Sequence, residues 1–176
     1  MTPESLAILA QLMTEVTTDL FAGYGVTLVY AGPADPTALP KAATVAGFIG
    51  FGGVDVRGTL LLASTEALFA AATPERARGA GLVREWAAEL TNQLLGRLKN
   101  QLYRYGVDFN VSTPTALSGD GLAVAAPASR KACAFSFLEN EIQVWICLDV
   151  VEDGLDLTKL RDDGGEAARE GDLVLF

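Results

Sequence analysis

"YGVTLVYAGP" at residues 24–33 and "YGVDFNVSTP" at residues 105–114 share a Tyr-Gly-Val start and a closing proline. Each follows a segment that begins with Thr-Pro-Glu and continues with the apolar periodicity of a helix. Thr2 and Thr73 are the predicted N-caps, each followed by a proline at the first helical position. Because the cap, the helix and the proline recur in the same order, the chain is predicted to contain a duplicated half-domain.

The first half is predicted to contain a helix, a short strand and a hairpin. The helix covers residues 3–22, ends at Gly23 and buries Leu6, Leu9, Leu12, Met13, Val16 and Leu20. A strand is expected at 27–31, followed by "TVAGFIGF" and "VRGTLLLAS", which form a hairpin joined at Gly52 and Gly53. A short helix capped by Ser64 completes this half.

The second half repeats this order. Glycines at 79 and 81 are expected to break the helix that starts at Pro74, which leaves a main helix over about 82–104. A strand over 106–114, a turn at 117–121 and a hairpin of "KACAFSFL" and "IQVWICLD" follow. Centred on Asn140, that hairpin places Cys133 opposite Cys147, where a disulfide is geometrically possible. Two reduced, buried thiols are the simpler interpretation.

These elements predict an α+β fold with pseudo-twofold halves at about 1–72 and 73–150. Together the halves form one largely antiparallel sheet of about six strands packed with helices. The 176-residue length suits a single domain. Residues 151–176 are predicted to be a separate acidic tail, for which disorder is the default expectation, because they carry eight acidic and only three basic side chains. Its end, "DLVLF", is apolar and could instead pair with a sheet edge or dock on a partner.

Composition excludes several classes of function. The net charge of −9 disfavours a nucleic-acid partner. The absence of histidine removes His-based catalytic triads and His metal sites, and the two cysteines form no C-x-x-C pair that would indicate zinc. No apolar run reaches the roughly 18 residues of a membrane span, and the start lacks the basic region of a signal peptide. A cytoplasmic location is therefore expected, without membrane binding, and no small-molecule site is suggested.

"EWAAELTNQLLG" at residues 85–96 is the segment that suggests a function. The buried face is predicted to contain Val83, Ala87, Leu90, Leu94, Leu98 and Leu102. The outward stripe carries Glu85, Glu89, Asn92 and Gly96, with Lys99 on the same solvent side. A solvated polar face explains the glutamates and the lysine. It explains Asn92 and Gly96 poorly, because both are weak helix formers. An outward glycine also lowers the surface so that another chain can come close.

This segment, together with Pro114, resembles the signature of the CheC/CheX/FliY family of chemotaxis phosphatases. That signature is Asp or Ser, three residues, Glu, two residues, Asn, and a distal proline. Glu89, Asn92 and Pro114 match it, whereas Glu85 stands where Asp or Ser is usual. The hairpin at 47–64 and the duplication also resemble the family, over about residues 1–150. CheX is the closest type, because the first helix has Glu15 but Thr18 in place of a second asparagine.

The resemblance implies a phosphatase that acts on the aspartyl phosphate of a CheY-like response regulator, in chemotaxis or another two-component pathway. Asn92 would orient the attacking water, as a glutamine does in GTPases, and Glu89 would pair with a lysine of the regulator. Glu85, Gly96 and Pro114 would contact the partner. The protein would need no cofactor of its own, because Mg²⁺ belongs to the regulator. A homodimer through sheet edges is expected by resemblance.

Two other functions remain open. A binding module could dock a response regulator or a flagellar switch component through the same helix face without hydrolysis, and the Glu85 substitution leaves room for this. A structural dimerisation domain without a regulator partner would leave Asn92 and Gly96 unexplained.

Overall fold

The computed structural model describes residues 2–54, 56–74, 82–125, 131–138, 142–150 and 155–160, with 131, 138 and 142–150 described by their backbone alone. The helices are α1 (Pro3–Ala22), α2 (Glu66–Ala71) and α3 (Leu82–Tyr103). The strands are, in chain order, β1 (Val29–Ala34), β2 (Val45–Gly52), β3 (Val56–Ser64), β4 (Asn110–Val111), β5 (Thr115–Ser118), β6 (Lys131–Leu138) and β7 (Ile142–Val150). These elements confirm the predicted α+β class.

Every strand pairing in the described part of the chain is antiparallel, in the order β1-β6-β7-β3-β2-β4, with β5 also on β2. Strands β4 and β5 lie end to end along β2, interrupted at residues 112–114. Ser112 bridges this gap, because its backbone N–H donates to Gly50 and its Oγ accepts from the Gly50 N–H. Pro114 therefore lies at a break in an edge strand, where a missing N–H costs no ladder bond.

The duplication is visible in the structure. The two hairpins have strands of the same lengths, with β2 and β6 of eight residues and β3 and β7 of nine. The first helix ends with Val26 N–H donating to Phe21 O, and α3 ends with Val107 N–H donating to Leu102 O. Gly25 and Gly106 follow those ends with φ of 77° and 79°, a conformation suited to glycine. Equivalent strands are arranged symmetrically about the neighbours β3 and β7, with β2 and then β4–β5 on one side and β6 and then β1 on the other.

Helices α1 and α3 pack on one face of the sheet and on each other. Gly47 of β2 marks the closest approach of α3, because a Cβ built there would overlap Thr91 Oγ1 and the Ala87 carbonyl oxygen. The opposite face of the sheet is partly covered by small apolar clusters that include Leu39, Ala43 and Leu122. Helix α3 therefore packs directly on the backbone of β2, and this contact determines how far its outward face stands from the sheet.

Several predicted details are wrong. Leu6 is 39% exposed although it was expected in the core. The cap of α2 is Thr65, whose hydroxyl accepts from the Leu68 N–H, whereas the neighbouring Ser64 is buried at the end of β3. The strand predicted over 106–114 is confined to β4, and the turn predicted at 117–121 overlaps the end of strand β5.

The expected register of the β6–β7 hairpin is also wrong, by one residue. Cys133 lies opposite Ile146, and Cys147 lies opposite Ala132. Successive strand residues point to opposite faces of a sheet, so a shift of one residue removes the geometry that a cross-strand disulfide needs. The turn at 139–141 and the predicted break at 79 and 81 lie outside the described residues.

Residues 155–160 of the predicted tail pack on the main body. Leu155 and Leu157 are buried within the main core, and the Leu157 backbone N–H donates to Ser5 Oγ at 3.1 Å. The hydrogen bond joins this segment to the N-terminal end of α1. Because residues 155–160 are packed in this way, the expectation of disorder is wrong for them. Residues 161–176 lie outside the described part of the chain.

Within the described residues, no helix is both long and apolar enough to span a membrane.

Candidate functional site on helix α3

Helix α3 places the predicted stripe on its outer side. Its buried residues are Ala87, Leu90, Thr91, Leu94, Leu95, Leu98 and Leu102. This face differs from the predicted one in two ways. Thr91 and Leu95 are buried in addition to the predicted residues, and Val83 is only half-buried. Thr91 is tolerated in the core because its hydroxyl donates to the Ala87 carbonyl at 2.7 Å. The polar stripe lies on the opposite side.

Glu85, Glu89, Asn92 and Gly96 fall within an arc of about 60° on this helix, at 100° per residue. Over eleven steps, the stripe is about 16 Å long. Glu85 is exposed, while Glu89, Asn92 and Gly96 are half-buried. A Cβ built on Gly96 would meet no other atom within 4 Å, so nothing in the described part of the chain requires a glycine there.

The neighbouring amides Asn92 and Gln93 have opposite environments. Gln93 donates through Nε2 to Glu89 Oε1 at 2.8 Å, and its own Oε1 accepts from the Tyr24 hydroxyl at 2.8 Å. Among the described residues, the Asn92 carboxamide has no hydrogen-bond partner. A carboxamide offers two donors and one acceptor oxygen, so Asn92 keeps this capacity for a group outside the chain.

Cations on the flank of α3 are directed away from the stripe. Arg84 Nη1 donates to Ser118 Oγ at 3.5 Å, and Lys99 Nζ lies 3.2 Å from Asp108 Oδ1. Within the described residues, neither Glu85 nor Glu89 has a cationic partner. The outer stripe of α3 is therefore anionic and complementary to a positive group on another molecule.

Pro114 is half-buried and belongs to the sheet edge beside this flank. It lies between the two segments that contact Arg84 and Lys99, and the strand that follows it, β5, packs on α3. The structure therefore places Pro114 on the sheet edge next to α3.

Helix α1 has a different outer face. The matching helix ends make Tyr24 and Tyr105 equivalent, and the same interval makes Ile8 equivalent to Glu89 and Gln11 equivalent to Asn92. Thr18, which was expected at the position of a second asparagine, is therefore not the equivalent of Asn92. Gln11 is exposed and donates to Glu15 Oε1 at 2.8 Å. The equivalent of the Glu89 position is apolar, which leaves one helix with the Glu and Asn pair.

Sequence reasoning missed the contacts that hold Glu89. The spacing of Gln93 four residues after Glu89 is a signal for a helical side-chain hydrogen bond. Tyr24 was recognised as a marker of the duplication, and its contact with Gln93 spans 69 positions of sequence. No group of three or more His, Cys, Asp or Glu side chains in the described part of the chain is arranged to hold a metal ion.

Comparisons with solved structures support the fold. A CheX from Vibrio vulnificus is 22% identical, with a TM-score of 0.66, over 80% of this chain and 99% of that one. A CheC-like superfamily protein from Shewanella sp. PV-4 is also 22% identical, with a TM-score of 0.65, over 85% of this chain and 99% of that one. The CheX–CheY–BeF3–Mg²⁺ complex from Borrelia burgdorferi matches with 15% identity and a TM-score of 0.58, over 84% of this chain and 97% of the matched chain.

No curated protein matches the chain. The model of the family described as chemotaxis phosphatase CheX matches residues 45–138, which is more than half of the 176 residues and includes α3 and Pro114. This chain therefore belongs to the CheX family of chemotaxis phosphatases.

Proposed function

We propose that this protein hydrolyses the aspartyl phosphate of a CheY-like response regulator, with the outer stripe of α3 as its active surface. The observation that carries the proposal is the carboxamide of Asn92. It lies half-buried on the stripe and has no partner among the described residues, directly beside an amide that is bonded at both ends. Membership of the CheX family supports the same assignment.

The chemistry assigned to Asn92 is the positioning of water. The sequence contains no histidine, and a water held in line with a phosphoryl group can attack without a covalent enzyme intermediate. The carboxamide oxygen accepts a hydrogen bond from that water. Because the amide is neutral, it is not repelled by the phosphoryl oxygens as a carboxylate would be.

Glu89 is assigned to docking. Its Oε1 accepts from Gln93, while its other oxygen has no partner in the described part of the chain and can accept from a lysine of the regulator. Such a charge pair fixes the register of one surface on another. Glu85, Gly96 and Pro114 extend the contact surface. Mg²⁺ is contributed by the regulator, and this chain supplies no cofactor.

The solved CheX–CheY complex concerns a protein of the same fold and motivates the choice of partner. The proposed homodimer would form through exposed sheet edges, for which β1 and the β4–β5 edge are the candidates. A cytoplasmic location is part of the same proposal.

The decisive experiment measures the loss of aspartyl phosphate from purified CheY-like regulators in the presence of Mg²⁺. Native protein is expected to accelerate the loss, and Asn92→Ala is expected to abolish the acceleration. Gln11→Ala removes the equivalent amide of α1 and is the matched control, expected to retain native activity. Absence of acceleration by native protein across the regulators contradicts the proposal. Binding without acceleration would instead indicate a docking module.

A further inference from the structure

Glu89 is connected to the other half of the molecule by a continuous chain of hydrogen bonds. The Tyr24 hydroxyl donates to Gln93 Oε1, and Gln93 Nε2 donates to Glu89 Oε1, both at 2.8 Å. Donor and acceptor roles agree throughout, since a hydroxyl donates to the amide oxygen and the amide nitrogen donates to the carboxylate. The chain begins at the turn after α1 and ends on the outer stripe of α3.

The first member of this chain is itself held in place. The Tyr24 ring meets the Trp86 ring edge to face, with centroids 5.3 Å apart and an interplanar angle of 89°. Trp86 Nε1 donates to the Ala72 carbonyl at the end of α2 at 2.9 Å. Aromatic packing of this kind restricts the ring, so the Tyr24 hydroxyl is presented to Gln93 from a fixed direction.

The equivalent residues in the other half do not form these hydrogen bonds. Tyr105 corresponds to Tyr24, and the interval that relates them places Leu12 where Gln93 would be and Ser5 where Trp86 would be. Both replacements are buried. Among the described residues, the Tyr105 hydroxyl has no hydrogen bond. Within the described residues, these linked hydrogen bonds therefore occur only in the half that has a glutamate at the Glu89 position, where the other half has Ile8.

We propose that Gln93 and Tyr24 are positioning residues, which hold the Glu89 carboxylate so that its second oxygen faces the lysine of the docked regulator. This inference rests on the proposed function. A glutamate on a helix surface has three side-chain torsions, and ordering them on binding costs free energy. The hydrogen bonds order Glu89 before the regulator arrives, and they act on docking rather than on the attacking water.

The test compares KM and kcat for dephosphorylation by native protein and by two variants, Gln93→Met and Tyr24→Phe. Both variants keep most of the side-chain volume. Gln93→Met removes both hydrogen bonds and is expected to raise KM about fivefold, whereas Tyr24→Phe removes one and is expected to raise KM about threefold. The kcat value is expected to be unchanged. Tyr105→Phe removes the equivalent hydroxyl from the other half and is expected to leave both constants at native values.

A double-mutant cycle distinguishes positioning from a separate structural role. In a Glu89→Gln background, Gln93→Met is expected to change KM less than twofold, because the charge that it positions is gone. An equal effect of Gln93→Met in both backgrounds overturns the inference. So does a fall in kcat with unchanged KM, or an equal effect of Tyr24→Phe and Tyr105→Phe.

The hydrogen bonds can also be tested without a regulator. The side-chain amide resonances of Gln93 in the NMR spectrum of the free protein are expected to shift in Tyr24→Phe and to remain unchanged in Tyr105→Phe. If native protein acts on regulators but these resonances do not shift, the hydrogen-bond chain alone is wrong. If they shift but native protein neither dephosphorylates nor binds any regulator, the proposed function and the docking role of the chain are both wrong.

Discussion

Two glycines on either side of α3 show what each face of this helix requires. Gly47 of β2 faces the inner side, where any side chain would overlap Thr91 and the backbone of Ala87. Gly96 lies on the outer side, where an added Cβ would meet nothing within 4 Å. The fold explains the first glycine. The second is unfavourable for the helix, and we propose that it serves the close approach of a partner to this face.

The largest expected effect is on the inner side. Gly47→Ala should destabilise the protein by about 3 kcal/mol, because a methyl group forces the packed backbone of α3 away from β2. Denaturant unfolding measures the loss. Gly52→Ala in the same strand is the control, because its nearest contact is an ordinary 3.9 Å to Arg57 Cβ. Equal stability of the two variants would show that α3 does not approach β2 as closely as described.

The next effect is on docking. Glu89→Lys should weaken binding of the phosphorylated regulator about 30-fold, because it places like charges opposite each other at the interface. Calorimetric titration measures the affinity, and the melting temperature should change little. Glu15→Lys makes the same charge change on the exposed face of α1 and should leave the affinity within about twofold of the native value. Equal losses in the two variants would point to overall charge rather than to a specific contact.

The smallest effects are expected for a substitution at Gly96, which should increase stability and decrease affinity for the regulator. Gly96→Ala should stabilise the protein by about 0.8 kcal/mol, through higher helix propensity without a new clash. It should weaken regulator binding severalfold, because the methyl group raises the surface under the partner. Unfolding and titration of the same sample measure both quantities. A more stable variant with native affinity would remove Gly96 from the contact surface.

Much of the fold could be predicted because its signals are local. Caps, apolar periodicity and glycine positions located α1, α3 and both hairpins within one or two residues. The duplication was readable because Tyr24 and Tyr105 end the two helices in the same way. Strand β5 was missed because Pro114 was read as the end of pairing, whereas the edge strand resumes after it.

The register of the β6–β7 hairpin is predictable from the apolar pattern of its second strand. Alternation in "IQVWICLDV" places five apolar residues of β7 on one face, at every second position from Ile142 to Val150. This pattern predicts that the apolar positions of β7 pair with the positions of Phe135 and Phe137, which are buried. The observed pairs of Phe135 with Val144 and Phe137 with Ile142 satisfy this requirement. The register that opposes Cys133 and Cys147 does not.

Some residues of the candidate site could likewise be predicted from the sequence, whereas others depend on how the helices pack. Glu89, Asn92 and Pro114 were identified by their spacing and by resemblance to a family, and both are properties of the sequence. The contact of Tyr24 with Gln93 depends on how α1 packs against α3. Helical periodicity alone does not define that approach. For the same reason Thr91 was not assigned to the core, since its burial follows from the close approach of β2 at Gly47.

The most direct test of the central claim is the dephosphorylation rate of Asn92→Asp at saturating concentration of phosphorylated regulator. This change keeps the shape of the side chain and replaces a neutral amide by a carboxylate. The rate is expected to fall on the order of 100-fold, through loss of water positioning and repulsion of the phosphoryl group, with an unchanged melting temperature. A native rate for Asn92→Asp would contradict the claim that the outer stripe of α3 acts through this carboxamide.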